Sequence, residues 1–187
     1  MTESQSTTYV VVEVTQEEAA RAAAVVQRLR DFFRGGTSSL EEVRVSALIE
    51  GAVAQMRDFA AHAGITLETV SQVDCGKRVI ADKQRLMQIV LNLVSNAVKF
   101  TREGAVLVSL ERLAETVTIR ISDTGPGISP SVMQRMFEPF VTTKETGIGL
   151  GLSICQHVAA AHGGTLCAKN RVGGGAEFTL LLPFPDE

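Results

Sequence analysis

No apolar run in this chain approaches the roughly 20 residues that a membrane-crossing helix needs. Charge of one sign is not in excess either. The 18 lysines and arginines against 21 aspartates and glutamates leave a net −3, so there is no general electrostatic reason to bind nucleic acid or an anionic membrane. Any anion site has to be built locally. Cysteine is scarce, and Cys75, Cys155 and Cys167 stand far apart in no metal-ligand spacing. Their odd number and the lack of a signal peptide suit a reducing, cytoplasmic setting in which they fill the core. Two familiar phosphate-binding loops are missing: there is no G-x-x-x-x-G-K-[ST] and no G-x-G-x-x-G following a strand. No internal repeat is present. What remains is 187 residues, 45% hydrophobic, enough for one domain with a proper core and an appendage but not for two large domains.

The opening "MTESQSTTYVVVEVTQEE" fits an edge strand at Tyr9 to Val14 or an irregular lead-in. From Gln16 to Phe33 the pattern turns helical, with Ala22, Val25, Val26, Leu29, Phe32 and Phe33 on one stripe. "RGGTSS" stops that helix, which predicts a lead-in and helix over 1–36 and the main domain over 37–187. Beyond it come a strand "VRV", a helix "ALIEGAVAQMRDFAAHAG" capped by Ser46, strands "ITLETV" and "KRVIA", and a helix from Asp82 to Lys99. The hairpin "AVLVSLERL" and "TVTIRISD", a short helix near Met133, a helix from Leu150 to Ala161, and strands "TLCAK" and "EFTLLLP" complete the chain. Interleaved elements with tight hairpins require some antiparallel pairing. The expected class is α+β, in two layers, a mixed sheet with its helices on one face.

On the helix from Asp82 to Lys99, the buried stripe is Leu86, Ile89, Val90, Leu93, Val94 and Ala97, while Asn92, Asn96 and Lys99 fall three and four residues apart on another face. Asparagine is an indifferent helix former. Two of them with a lysine offer amide oxygen to a hard cation and an ammonium to a phosphate, although a merely solvated face would look the same. "DTGPGI", Asp123 to Ile128, ends a strand in a carboxylate followed by glycines, either a plain turn or an acceptor for an exocyclic amine. In "MFEPFVTTKETGIGLGLSIC", glycines precede a helix and so offer backbone N–H groups and the positive end of a helix dipole to phosphate. Phe137 and Phe140 would anchor one end of a lid with Lys144 at its tip, or serve as ordinary core. Thr179 would place a hydroxyl near the pocket floor, or simply suit a strand.

Taken in order, "QIVLNLVSNAVKFT", "DTGPGI", "FEPF", "GIGLGL" and "GGGAEFTLLLP" resemble the N, G1, F, G2 and G3 boxes of the sensor histidine kinases, over about residues 43–184. "FEPFVTTK" before "GIGLGLSIC" looks most like their nitrogen-regulatory and oxygen-sensing branch. The resemblance implies a Bergerat-type ATP-binding fold, a mixed sheet with three helices on one face, preceded by a helix left from a dimerisation hairpin. It implies ATP and Mg²⁺ as cofactors. Asn96 would ligate the Mg²⁺, Asn92 and Lys99 would approach the phosphates, and Asp123 would bind the adenine amine, with Gly125, Gly127 and Ile128 beside it. Gly147, Gly149, Leu150 and Gly151 would line the triphosphate under a soft lid.

Hydrolytic and serine-phosphorylating relatives carry a general-base glutamate four residues before the Mg²⁺ asparagine. This chain has Asn92 there, and an amide cannot take a proton at neutral pH, so hydrolysis should be slow. The resemblance instead implies transfer to a histidine on a helical hairpin. The first helix of such a hairpin is not legible in "MTESQSTTYVVVEVT", and His62, His157 and His162 read as structural or surface residues. Pro139 stands where some kinases carry arginine, which shifts phosphate neutralisation to Lys99 and Lys144. The implied protein is a kinase domain acting on a histidine in trans or elsewhere in a full-length protein, with a response regulator as partner, no nucleic acid, and a homodimer allowed. It would be cytoplasmic, or the cytosolic part of a larger sensor. The alternative is a nucleotide-dependent binding module that transfers nothing.

Overall fold

The computed structural model describes residues 15, 19, 23, 39–71, 78–113, 115–142 and 147–185. Apart from Ala19 and Ala23, the predicted helix over 16–33 lies outside the described residues, as do Cys75 and Lys144. Contacts divide the chain into two units, Met1–Gly35 and Gly36–Glu187. In the first, the Ala19 N–H donates to the Thr15 carbonyl at 3.0 Å. The second carries β1 (Glu41–Val43), α1 (Val45–His62), β2 (Ile65–Ser71), β3 (Val79–Ala81), α2 (Lys83–Phe100), β4 (Gly104–Leu113), β5 (Thr116–Asp123), α3 (Pro130–Met133), α4 (Gly151–Ala161), β6 (Thr165–Asn170) and β7 (Ala176–Pro183).

Five strands form one sheet in the order β2-β4-β5-β7-β6. β2 runs parallel to β4, because α2 lies in the connection between them and supplies the crossover that parallel pairing needs. The other pairs are antiparallel, so the sheet is mixed, as expected. β3 does not join it; it pairs antiparallel with β1 in a separate two-stranded ribbon. The first helix also starts earlier than its sequence suggests. Arg44 occupies the cap position without a side-chain bond, and Val45, buried at the first helical position, packs inward with Leu48 and Ile49. Ser46 therefore lies inside the first turn and caps nothing.

α2 is the central helix of its layer. It packs over β4 and β5 and touches both α1, which lies on β2, and α4, which lies on β6 and β7. Asp82 fixes its start by accepting from the Arg85 N–H at 3.1 Å, an N-cap. Its six predicted apolar positions are all buried. Beneath it the strands alternate with a period of two: Val106, Val108 and Leu110 of β4 and Phe178, Leu180 and Leu182 of β7 are buried toward the helices. The other face carries polar ladders, including Glu111 with Arg120 and Lys169 with Glu177 at 3.0 Å. Burial pushes the Glu177 carboxyl up, but hydrogen bonds from Lys169 and Ser122 and the nearby positive charges outweigh it and hold it below its ordinary value. His162 joins the helices: its Nε2 accepts from the Asp82 N–H at 2.9 Å and its Nδ1 lies 2.7 Å from the Val158 carbonyl. A neutral ring protonated on Nδ1 satisfies both. No helix among the described residues is long and apolar enough to cross a membrane.

Candidate active site

Asp123 is the last residue of β5, on the parity that faces the helices, and is 4% exposed. Its Oδ1 accepts the N–H groups of Gly125 at 2.9 Å and Ala176 at 3.1 Å, and its carbonyl accepts from Arg171 Nη1 at 2.7 Å. One carboxylate oxygen is thus committed to the protein. The other has no hydrogen bond to any described residue, which leaves an oriented acceptor for an incoming donor. Gly175, at φ +87°, lies so close to the Asp123 carbonyl that a side chain there would overlap it. A methyl on Gly125 would stand 3.0 Å from both Asp123 Oδ1 and the Phe100 carbonyl. The loop after Asp123 therefore rests on the last turn of α2.

The glycine loop meets the same helix further back. The Phe140 N–H donates to the Gly149 carbonyl at 2.9 Å, closing the base of the loop between them. Leu150 is buried in the cap position, Ser153 Oγ donates to its carbonyl at 2.9 Å, and α4 begins at Gly151. A methyl on Gly151 would stand 3.0 Å from both the oxygen and the nitrogen of the Asn92 amide, and Asn92 Nδ2 donates to Cys155 Sγ at 3.1 Å. From Asn92 to Phe100 is about 12 Å of helix, with half-buried Asn96 between them. The two motif loops thus converge on one stretch of α2.

Not every expected residue joins them. Lys99 places its ammonium 5.8 Å from the centre of the Phe59 ring on α1, while Asn92 faces α4; equal spacing on a helix did not bring the two to one neighbour. Phe137 packs against the core. Phe140 does not anchor the lid by its ring, which is 62% exposed; its backbone, at φ +68°, turns to meet Gly149 and leaves the ring outside. Thr179 is not at the pocket floor. Its register partners are Arg120 and Cys167, on the sheet face away from Phe178 and Leu180, because the two-residue period puts it one step out of phase. Gly147 lies half-buried ahead of Gly149, and Gly127, at φ +79°, lies beside the Asn170 side chain. The residues that sequence reading missed are Asn170, Arg171, Gly175 and the N–H of Ala176. The triple glycine before "AEFTLLLP" is a signal for a turn, but nothing in it points to Asp123.

Burial pushes the Cys155 thiol up from 9.0 to about 11, and the hydrogen bond from Asn92 lowers it too little to offset this. Below pH 9 the thiol is neutral in both states; between pH 9 and about 11 it ionises in the unfolded chain but not in the folded one. Stability should therefore fall across that window as pH rises, by about 2–3 kcal/mol in all. Urea unfolding of the protein and of Cys155→Ala at a series of pH values checks this, since the variant should lack that part of the slope. Exposed Cys167 should react with an alkylating reagent at neutral pH while Cys155 stays protected.

The donor set suits adenine nucleotide and Mg²⁺. Among the described residues no three His, Cys, Asp or Glu side chains cluster to hold a metal. Mg²⁺ takes oxygen ligands and fills most of its shell with water and substrate phosphates, so the Asn96 amide oxygen would be its ligand from this helix.

Residues 81–186 match the family of histidine kinase-, DNA gyrase B-, and HSP90-like ATPases. The chain is 35% identical over 176 residues to the sensor protein FixL of Bradyrhizobium diazoefficiens, covering 91% of this chain and 34% of that one. It superposes on the catalytic domain of histidine kinase ThkA with a TM-score of 0.72 at 30% identity, covering 78% of this chain and 96% of that one. Full-length ShkA in complex with AMPPNP gives 0.75 at 32%, covering 94% and 41%. The fold and its two converging loops define an ATP-binding α/β sandwich. The chain belongs to the histidine kinase-, DNA gyrase B-, and HSP90-like ATPase family, and within it carries the ATP-binding kinase domain of a sensor histidine kinase. It spans between 26% and 34% of the first curated relatives it matches.

Proposed function

We propose that this domain binds ATP with Mg²⁺ and passes the γ-phosphoryl group to a histidine on a helical hairpin, either in trans or elsewhere in a full-length protein. The observation that carries the reading is the convergence of the Asp123 loop and the glycine loop on one stretch of α2, with Asn96 between their contacts. Asp123 would accept the adenine amine through its uncommitted oxygen. Gly125, Gly127 and Ile128 would form the base side of the pocket. Gly147, Gly149, Leu150 and Gly151 would present backbone N–H groups and the helix dipole to the phosphates, with Asn92 and the lid residue Lys144 adding side-chain donors. Mg²⁺ bound at the Asn96 amide would neutralise the phosphate charge that builds during transfer.

Position 92 cannot act as a base. Its amide donates to a buried thiol, so water entering the site finds no proton acceptor there and hydrolysis stays slow. An imidazole brings its own lone pair: the nitrogen–phosphorus bond forms as the bond from γ-phosphorus to the bridging oxygen breaks, and ADP leaves with that electron pair. Two of the histidines are otherwise engaged, His62 with the Asp58 carbonyl at 2.7 Å and His162 with both helices. A response regulator, a homodimer and a place in the cytosolic part of a larger sensor go with this reading.

The test is to mix the chain with a histidine-bearing acceptor hairpin and γ-labelled ATP. Label should appear on the hairpin and not on this chain. Strong labelling of this chain at a histidine would overturn the division of labour, and nucleotide binding without any transfer would reassign the domain to nucleotide sensing.

A further inference from the structure

The end of β6 and the turn after it commit three side-chain hydrogen bonds to the end of β5 and the loop that follows. Asn170 holds Ile128 by both backbone groups, with Oδ1 accepting its N–H at 2.7 Å and Nδ2 donating to its carbonyl at 2.8 Å. Arg171 Nη1 donates to the Asp123 carbonyl at 2.7 Å. The turn is itself tied, Arg171 N–H to the Gly175 carbonyl at 2.9 Å and Gly174 N–H to the Arg171 carbonyl at 3.2 Å. It then returns along Asp123, where the Ala176 N–H reaches Oδ1 at 3.1 Å. Both ends of the Asp123–Ile128 loop are therefore gripped by one turn from a distant part of the chain, while no strand or helix includes residues 124–129.

We infer that Asn170 and Arg171 are positioning residues for base selection, fixing Ile128 and the Asp123 carbonyl so that the Asp123 carboxylate stays where it accepts from adenine and repels guanine. This rests on the nucleotide reading above. Guanine offers a carbonyl oxygen where adenine offers an amine, and a carboxylate rejects that acceptor only if it cannot swing aside. Sites built around a hydrogen bond discriminate because the wrong ligand leaves a fixed polar group unpaired. A peptide free to rotate at Asp123, or a loop free to slide at Ile128, would relax that constraint. Neither residue needs to touch the nucleotide, so the loss should appear in the choice of base rather than in nucleotide binding as a whole.

The experiment measures dissociation constants of Mg·ATP and Mg·GTP for the intact chain and for Asn170→Ala, Arg171→Met, Arg171→Lys and Asp123→Asn, with thermal unfolding of each. Asn170→Ala and Arg171→Met should each narrow the ATP-over-GTP preference by about ten-fold, the worth of one or two hydrogen bonds, through tighter GTP binding with ATP affinity nearly unchanged. Arg171→Lys keeps a donor near the Asp123 carbonyl and should retain most of the preference. Equal losses for both nucleotides, or no loss, would overturn the inference, since a general loosening cannot favour one base. If Asn170→Ala fails to fold, the two Arg171 variants decide. An unchanged preference in Asp123→Asn would instead overturn the nucleotide reading beneath it, so the two failures are told apart.

Discussion

Replacing Asp123 with asparagine is expected to weaken Mg·ATP binding about 100-fold while leaving the domain folded. The carboxylate is 4% exposed and its Oδ1 already accepts from Gly125 and Ala176. An asparagine fits the same space, and to keep those two bonds its oxygen must stay at that position. The amide nitrogen then occupies the site of the second oxygen. There it presents hydrogens to the adenine amine, so one charge-assisted bond is lost and two donors face each other. A bond to an ionised acceptor is worth about 1.5–3 kcal/mol, which sets the size of the effect. Calorimetric titration with Mg·ATP measures it, and unfolding midpoints separate it from loss of structure. An affinity within about three-fold of the original protein, far less than such a bond supplies, would remove Asp123 from base recognition.

What could be read from the sequence is what depends on neighbours along the chain. The apolar stripe from Leu86 to Ala97 is a local regularity, and α2 forms as it predicts. The strand pattern likewise gave a mixed sheet with helices on one face, and the order of the five boxes gave the family. Where the outcome depended on parity or on a distant partner, the sequence was silent. Thr179 and Phe178 are adjacent, yet one faces the outer ladder and the other the core. Nothing in "KRVIA" says that its strand pairs with β1 rather than joining the sheet. Phe140 resembles a core aromatic, but the constraint that decides its place is a backbone bond to Gly149 across the lid. Asn170 follows the predicted strand "TLCAK", and only the fold sets it against Ile128, 42 residues earlier. Helical spacing has the same limit: Asn92 and Lys99 share a helix face, but one leans on α4 and the other on α1.

Asn96→Ala should lower phosphoryl transfer to an acceptor hairpin by about 10²–10³-fold, the range seen when one preorganised electrostatic contact to a developing charge is removed. Asn96 is half-buried on the polar face of α2. Alanine is a better helix former than asparagine by about 0.5 kcal/mol, and the apolar stripe that anchors α2 lies at Leu93, Val94 and Ala97, none of which changes. Stability should shift by about 1 kcal/mol, and unfolding midpoints of the variant separate lost activity from lost structure. The dependence on Mg²⁺ gives a second signature. If the amide oxygen helps hold the cation against the phosphates, the variant should need more Mg²⁺ for half-maximal transfer as well as turning over more slowly. ATP binding measured without Mg²⁺ should stay nearly the same, because Asp123 and the glycine loop are untouched. Transfer at the original rate, with the original Mg²⁺ requirement, would mean that the cation is held without Asn96, and the role would pass to another oxygen on the triphosphate side of α2.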